Sequence, residues 1–349
     1  MVLKSMENFY QDKKVLVTGG ASFIGSHLVD SLLALGAKVR VTDDLSSGSL
    51  KNLKHTMNSI EFKQLDLRAN EIESESFKDV DVVFHLAAIH GGRGFIETQQ
   101  NMMLDNLNID TNVIKNSQKH EVKMLVHASS ACAYPIGLQE KDTNRNLLEE
   151  SQASMKEVGK AFPDGVYGWT KLIGEYQLDT ISGNSFKGRS ARIFTAYGER
   201  ENLSHAAIAL IAKSVLKIDP FPVWGNGKQT RNFTHVSDTV KGLLYLGSDE
   251  RDLDFDVFNI GMSTHFTVNE FIEEIHSQLD WHPSKWDFQL DKPAGVASRA
   301  SDNAKIQKVF GWEPNVGISE GIKKTIDWYL SNDDNPKTVQ ELEVKLNSR

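Results

Sequence analysis

Two rhythms of apolar residues alternate through the first 130 positions. The runs KKVLVTGG, AKVRVTDD, DVDVVFHLAA and EVKMLVHASS are short and β-branched and predict buried strands. Between them, FIGSHLVDSLLALG and the polar stretch 97–119 carry the wider spacing of helices. Strand, helix and strand repeated in this way predict a parallel sheet with helices on both faces. Beyond Tyr167 the order is less regular. SARIFTAYG predicts a strand, HAAIALIAKSVLKI a core helix, and PFPVWGNGKQTRNFTHV turns around short strands. The polar stretch 139–163 predicts a long surface loop with some helix, and the charged segment from residue 332 a solvent-facing tail.

The chain has 349 residues, which favours one large domain with a smaller lobe. A formal charge of -8 argues against a phosphate-backbone binder, so nucleic acid is not an expected partner. MVLKSMENFYQDKK lacks the apolar core of a secretory signal, and no run approaches the ~20 residues of a membrane span. A soluble, cytoplasmic protein without a membrane partner is the expectation. The one cysteine, Cys132, excludes an internal disulfide and a cysteine-based zinc site, and no metal is expected. It leaves either a small buried hydrophobe or a reactive thiol.

VTGGASFIGSHL sets Gly19 and Gly25 at the ends of a strand-to-helix turn, with Ser22 where a middle glycine is usual and Phe23 and Ile24 opening the helix. Such a turn lets backbone N–H groups at the helix start meet a pyrophosphate. The next strand ends at Asp43, where a carboxylate can accept from ribose hydroxyls and repel a 2′-phosphate, favouring NAD over NADP; otherwise Asp43 simply opens the DDLSSG turn. Asp66, in QLDLR, is a plausible contact on the adenine side. YGWTK places Tyr167 and Lys171 four apart on one helix face, where a lysine cation would lower the phenol from its usual 10 and make a phenolate base accessible near neutrality.

Together these segments resemble the extended short-chain dehydrogenase/reductase family. The resemblance runs from VTGGASFIGSHL through HLAA, SSACAY and YGWTK to GNGKQTRNFTHVSD and ASRASDNAKIQKVFGWEP. It implies an α/β fold: a Rossmann-type doubly wound sheet over residues 1–190, rejoined by 236–262, and a smaller substrate-binding α/β lobe from 191–235 and 263–331. It implies bound NAD(P), which Asp43 narrows to NAD and along which Leu67, Leu86, Ala87 and Ala88 would lie, and usually a nucleotide-sugar substrate. By position Ser130 would be the catalytic serine beside Tyr167 and Lys171, while Arg231 and Arg299 would grip the substrate diphosphate, a task suited to guanidinium geometry. Relatives pair as homodimers through helices after Glu97 and Tyr167.

Within the family, SSAC-x-YP resembles the branch containing GDP-mannose 3,5-epimerases and GDP-fucose synthases, whose cysteine works at the epimerised carbon. LAAIHGGRGFI, in which Gly91 and Gly92 would line the sugar pocket, and VWGNGKQTRNF resemble the mannose epimerases. Oxidation of carbon 4 acidifies the protons on carbons 3 and 5, and a thiol two residues beyond Ser130 is a credible acid–base group there. The segment after YG is shorter than in those epimerases and lacks their second acid–base lysine. His205 is the nearest replacement, resembling the synthase histidine, and a helix-cap role is its alternative. Thr195 stands where the family usually has a substrate-binding asparagine. The expected activity is epimerisation of a nucleotide sugar through a transient 4-ketone. Its rivals are 4-epimerisation, 4,6-dehydration or net oxidoreduction on the same scaffold, and a non-catalytic nucleotide-binding scaffold.

Overall fold

The computed structural model describes residues 6, 8–69, 74–140, 145–183 and 185–347. Its centre is a seven-stranded sheet built from β1 (Lys14–Thr18), β2 (Lys38–Asp43), β3 (Ile60–Gln64), β4 (Val82–His85), β5 (Met124–Ser130), β6 (Lys187–Ile193) and a last strand at Phe255–Ile260. The order is last-β6-β5-β4-β1-β2-β3, and each pairing is parallel. β1 lies inside the sheet, with Val17 in register with Val41 on one side and Phe84 on the other. Its apolar KVLVT run is buried on both faces, as a covered parallel strand requires.

Helices α1 (Phe23–Ala34), α2 (Asp105–Lys119) and α3 (Gly165–Ile181) connect these strands. One apolar layer joins Leu28, Val29 and Leu32 of α1 to Val15, Val17 and Val41; the other joins Ile109 and Val113 of α2 to Leu16, Val83 and Leu125. The strand order reverses direction between β1 and β4, and the carboxyl ends of β1, β2, β4, β5 and β6 open at that switch point, where doubly wound sheets bind ligands.

The chain then forms α4 (Ala206–Val215), α5 (Val236–Gly247), α6 (Val268–Gln278) and α7 (Ile318–Ser331). α5 joins the sheet core through Val240, Leu243 and Leu244. A separate core gathers Leu210 and Ile211 of α4, Phe271 and Ile275 of α6, and Ile322 and Ile326 of α7. Phe233 stacks on Phe271 there with ring centroids 4.0 Å apart. Among the described residues no helix is long and apolar enough to cross a membrane.

Two segments are tied down more than the sequence expectation has them. In the stretch 139–163, of which 141–144 lie outside the described residues, 155–159 are exposed as a surface loop should be, but Gln139 and Leu148 are buried and the Leu148 N–H donates to Ala300 O at 2.9 Å. Burying its backbone is possible because the 297–302 strip supplies hydrogen-bond partners. The segment from residue 332 is not a free polar tail. It ends in helix α8 (Val339–Asn347), whose Leu342 is buried with Ile208, Ala212 and Tyr329 while Leu346 packs one turn on. The apolar pair at i and i+4 makes one helix face worth burying despite the charged composition.

Candidate active site

The cofactor side of the switch point is built by the β1–α1 turn. Gly19 has φ +71°, and a Cβ there would lie 2.8 Å from the Ala87 nitrogen; one at Gly25 would overlap the Gly19 carbonyl oxygen. Glycine at both positions lets loop, helix and the HLAA segment close together. Ser22 turns its hydroxyl back to Gly19 O at 2.5 Å, so no side chain caps the start of α1. Beside that helix start, Gly19, Ser22, Asp43, Asp66, Leu67, Leu86, Ala87 and Ala88 line one cleft. One Asp43 oxygen accepts from Ala21 N at 3.0 Å and the other from Leu45 N at 2.9 Å. Burial pushes the Asp43 carboxyl above its usual range, against the pull of those two N–H groups. Asp66 is held by Arg68 through 2.8 and 2.7 Å hydrogen bonds, which keep its carboxyl below the usual range. A close glycine apposition, an uncapped helix start and an acid at the end of β2 fit a dinucleotide whose ribose carries no phosphate.

Beside this cleft lies a cavity of about 320 Å³ that brings together Ser130, Cys132, Tyr167, Lys171 and His205 with Gly91, Gly92 and Thr195; Phe23 and Ile24 border it on the cofactor side. β5 ends at Ser130, whose hydroxyl caps the turn Ala131–Ala133 by accepting from Cys132 N at 3.1 Å. The serine and the thiol thus share the cavity through a turn, not through a continuing strand. Tyr167 and Lys171 sit one turn apart on α3, with the lysine nitrogen 5.9 Å from the phenol centroid.

The phenol departs from the sequence expectation. Burial, with Cys132 and Asp110 adding to it, pushes Tyr167 up; the Ser130 hydrogen bond works the other way. Desolvation of a phenolate in this enclosed protein therefore outweighs the lysine. Burial also lowers Lys171, while Asp110 and Glu175 support its charge.

Behind the pair is a polar network that the sequence reading missed. Asp110 of α2 lies 3.0 Å from His85 Nε2 and 3.4 Å from His127 Nε2, all three wholly buried. Burial opposes its charge, yet Lys171 and His127 hold it far below the usual carboxylate range. Its available signal was a lone histidine within each of two apolar strands, VVFH and MLVHASS.

Beyond Cys132 stands a group of arginines, of which Arg93 alone reaches the cavity. Arg299 donates to Gln139 Oε1 at 2.5 Å, to the Cys132 sulfur at 3.3 Å and to Asp164 at 2.8 Å. Arg93, which lines the cavity, reaches the same Asp164 oxygen at 2.8 Å. Burial works against the Asp164 charge, but Arg299 and Arg93 hold its carboxyl below the usual range. Neither Arg299 nor Arg231 lines the cavity. The Arg231 guanidinium donates to the carbonyls of Thr230, Val296 and Ala294 at 2.7, 2.8 and 3.1 Å, and burial, with Arg299 and Arg93 nearby, lowers it to about 9. His205 is the N-cap residue of α4, without a capping side-chain bond, and its ring stands 5.5 Å from that of His90.

The description "NAD dependent epimerase/dehydratase family" matches residues 15–261. The chain is 32% identical over 327 residues to GDP-mannose 3,5-epimerase of Arabidopsis thaliana, covering 91% of this chain and 82% of that one. It superposes on an epimerase from Methanothermobacter thermautotrophicus with a TM-score of 0.81 at 28% identity, over 96% of each chain. A UDP-glucuronic acid 4-epimerase from Bacillus cereus, solved with UDP-glucuronic acid and NAD, gives 0.79 at 25% identity, over 90% of this chain and 98% of that one. A glycine cradle that accepts NAD, a serine, tyrosine and lysine around one cavity, and these likenesses across the chain place it in the NAD-dependent epimerase/dehydratase family of extended short-chain dehydrogenases/reductases.

Proposed function

We propose that this enzyme is a nucleotide-sugar epimerase of the GDP-mannose 3,5-epimerase kind, which oxidises carbon 4 of the sugar, exchanges protons at carbon 5 or carbon 3, and returns the hydride. The observation that carries this reading is the meeting of Cys132 and His205 with Ser130, Tyr167 and Lys171 around one cavity. Oxidation and return at carbon 4 need only the last three; two more proton-carrying side chains facing the same space suit chemistry at a neighbouring carbon.

The β1–α1 cradle and Asp43 would hold NAD, which would supply the hydride acceptor and the positive charge of its oxidised ring. Tyr167 takes the proton of the carbon-4 hydroxyl, and Ser130 orients that oxygen. Lys171 keeps positive charge behind the phenol through the support of Asp110 and Glu175. Cys132 and His205 remove and deliver the carbon-bound proton once the ketone has acidified it. Arg231 and Arg299 bind the diphosphate, for which Arg231 must exchange backbone carbonyls for phosphate oxygens. A homodimer formed through α2 and α3 and a cytoplasmic location belong to the same reading.

Product analysis by NMR in deuterated water across GDP-, UDP- and dTDP-sugars tests it. Deuterium at carbon 3 or carbon 5 without net NADH is expected. Net NADH, or inversion at carbon 4 with no deuterium at either neighbour, would replace this reading with a dehydrogenase or a 4-epimerase.

A further inference from the structure

His90, Arg93 and Glu201 border the cavity without a part in that chemistry. Glu201 lies four residues before His205 in the segment leading to α4, and it borders the same cavity. Its side chain is 2% exposed, and Oε1 stands 3.3 Å from His205 Nδ1. Its other oxygen, Oε2, has no hydrogen-bond partner. Its neighbours in sequence turn elsewhere: Arg200 pairs with Asp30 at 2.8 Å, and Glu199 with His235 at 3.2 Å.

A carboxyl enclosed in this way is costly unless it answers to a proton or a cation. Burial pushes it well above the usual carboxylate range, with the Gly198 backbone N–H as the opposing influence. His205 meanwhile caps α4, where the positive end of the helix dipole disfavours a cationic ring and favours a nearby carboxylate. His90, Arg93, Cys132, Tyr167 and Lys171 are the other titratable or charged groups on this cavity. His90 approaches His205 ring to ring, whereas Glu201 meets a ring nitrogen.

We propose that Glu201 is the positioning residue of His205: its carboxyl holds Nδ1, assigns Nε2 to the substrate, and passes a proton through the ring. The inference rests on the epimerase reading above. In the two-proton form the carboxyl is protonated toward Nδ1, and Nε2 carries a hydrogen. When Nε2 gives that hydrogen to the substrate carbon, the carboxyl proton crosses to Nδ1. A carboxylate and a neutral ring with a lone pair on Nε2 remain, and uptake of a proton at Nε2 reverses both transfers. One proton leaves the pair, none is created, and no oxidant is needed. Such a pair can serve as acid and as base within one turnover.

The test combines Glu201→Gln and Glu201→Asp with ¹⁵N-imidazole NMR of the substrate-free enzyme, the His205 signals being assigned through His205→Asn. Glu201→Gln is expected to move the His205 titration midpoint or to switch its tautomer. With substrate it should cut solvent-deuterium incorporation by about 10²-fold, while NADH formation on the bound cofactor stays within about threefold. Glu201→Asp should recover part of the exchange, which a merely structural carboxyl would not do. An unchanged imidazole titration, or wild-type exchange in Glu201→Gln, overturns the proposal. If the wild-type enzyme exchanges no carbon-bound proton with any nucleotide sugar, the epimerase reading fails instead, and the imidazole titration alone then judges whether the two groups are paired.

Discussion

The Cys132 sulfur accepts a hydrogen bond from Arg299 Nη1 at 3.3 Å, and Nη2 of the same guanidinium donates to Asp164 at 2.8 Å. This contact joins the end of β5 to the 297–302 strip and so ties the thiol to the end of the site where the diphosphate is proposed to bind. Asp164 shares Arg299 with the sulfur and accepts from Arg93 as well.

Cys132→Ser separates a chemical from a structural thiol. Serine is close in size but a far weaker acid, so packing in this buried turn should persist. The variant should still reduce bound NAD on addition of substrate, a step that uses Tyr167, Lys171 and Ser130, and it should lose solvent exchange of the carbon-bound proton. Exchange at the wild-type rate would make Cys132 a small buried residue and return the function to carbon-4 chemistry.

Tyr167→Phe removes the proton acceptor while keeping the ring that packs against Lys171. Turnover should fall by about 10²–10⁴-fold with NAD affinity unchanged. Because burial raises the phenol in the free protein, the pH–rate limb assigned to Tyr167 should lie lower in the NAD-bound enzyme, whose nicotinium charge opposes that burial. A rate within a few-fold of wild type in Tyr167→Phe would remove Tyr167 from the mechanism.

Much of this arrangement is legible in the chain, and the limits have physical causes. The alternation of β-branched runs and helical spacing locates the sheet strands, because strands covered on both faces read as continuous apolar runs. The order of glycines, Asp43, Ser130, Tyr167 and Lys171 follows from short local segments. Contacts made by single polar residues far apart in sequence leave no such pattern. Asp110 meets His85 and His127 across 25 and 17 residues, and Arg299 meets Cys132 across 167. The same holds for burial, which reverses the direction expected for the Tyr167 phenol. α8 was misread because its charged face dominates the composition while a single i, i+4 apolar pair drives docking.

Asp43 should make the enzyme prefer NAD to NADP. A carboxylate within a few ångströms of a 2′-phosphate costs about 1–4 kcal/mol between water-like and protein-surface screening, so a preference of about tenfold or more is expected. Competitive titration of the two cofactors measures it. Equal affinities would mean that Asp43 serves only its own turn, holding the Ala21 and Leu45 N–H groups.

Arg231→Ala should affect stability and substrate binding together, because in the free protein the guanidinium satisfies the carbonyls of Thr230, Val296 and Ala294. Orphaning buried acceptors costs about 1–3 kcal/mol each, so Tm should drop by several degrees while NAD binding by the still-folded enzyme is retained. Nucleotide-sugar affinity should fall about tenfold or more, the loss of one charge-assisted contact. Unchanged Tm would contradict the hydrogen bonding seen here, and affinity within twofold of wild type would contradict the diphosphate role.

His276 of α6 makes the second lobe sensitive to acid. The ring is enclosed by Phe221, Trp281 and Trp286, with centroids 4.9, 5.1 and 5.9 Å away, and neither nitrogen has a hydrogen-bond partner. Burial, with the nearby His282 adding to it, lowers its pKa from 6.5 to about 4. The unfolded chain binds this proton below about 6.5, whereas the folded chain resists it down to about 4. Protonation therefore favours unfolding, and stability should decline as pH falls through that window and level off below it. His276→Phe keeps an aromatic ring in the box and removes the titrating group, so its denaturant midpoint should lose less between pH 7 and pH 4 than that of the wild type. Parallel midpoint curves for the two proteins would show that His276 does not titrate on unfolding, and that the acid sensitivity comes from elsewhere in the fold.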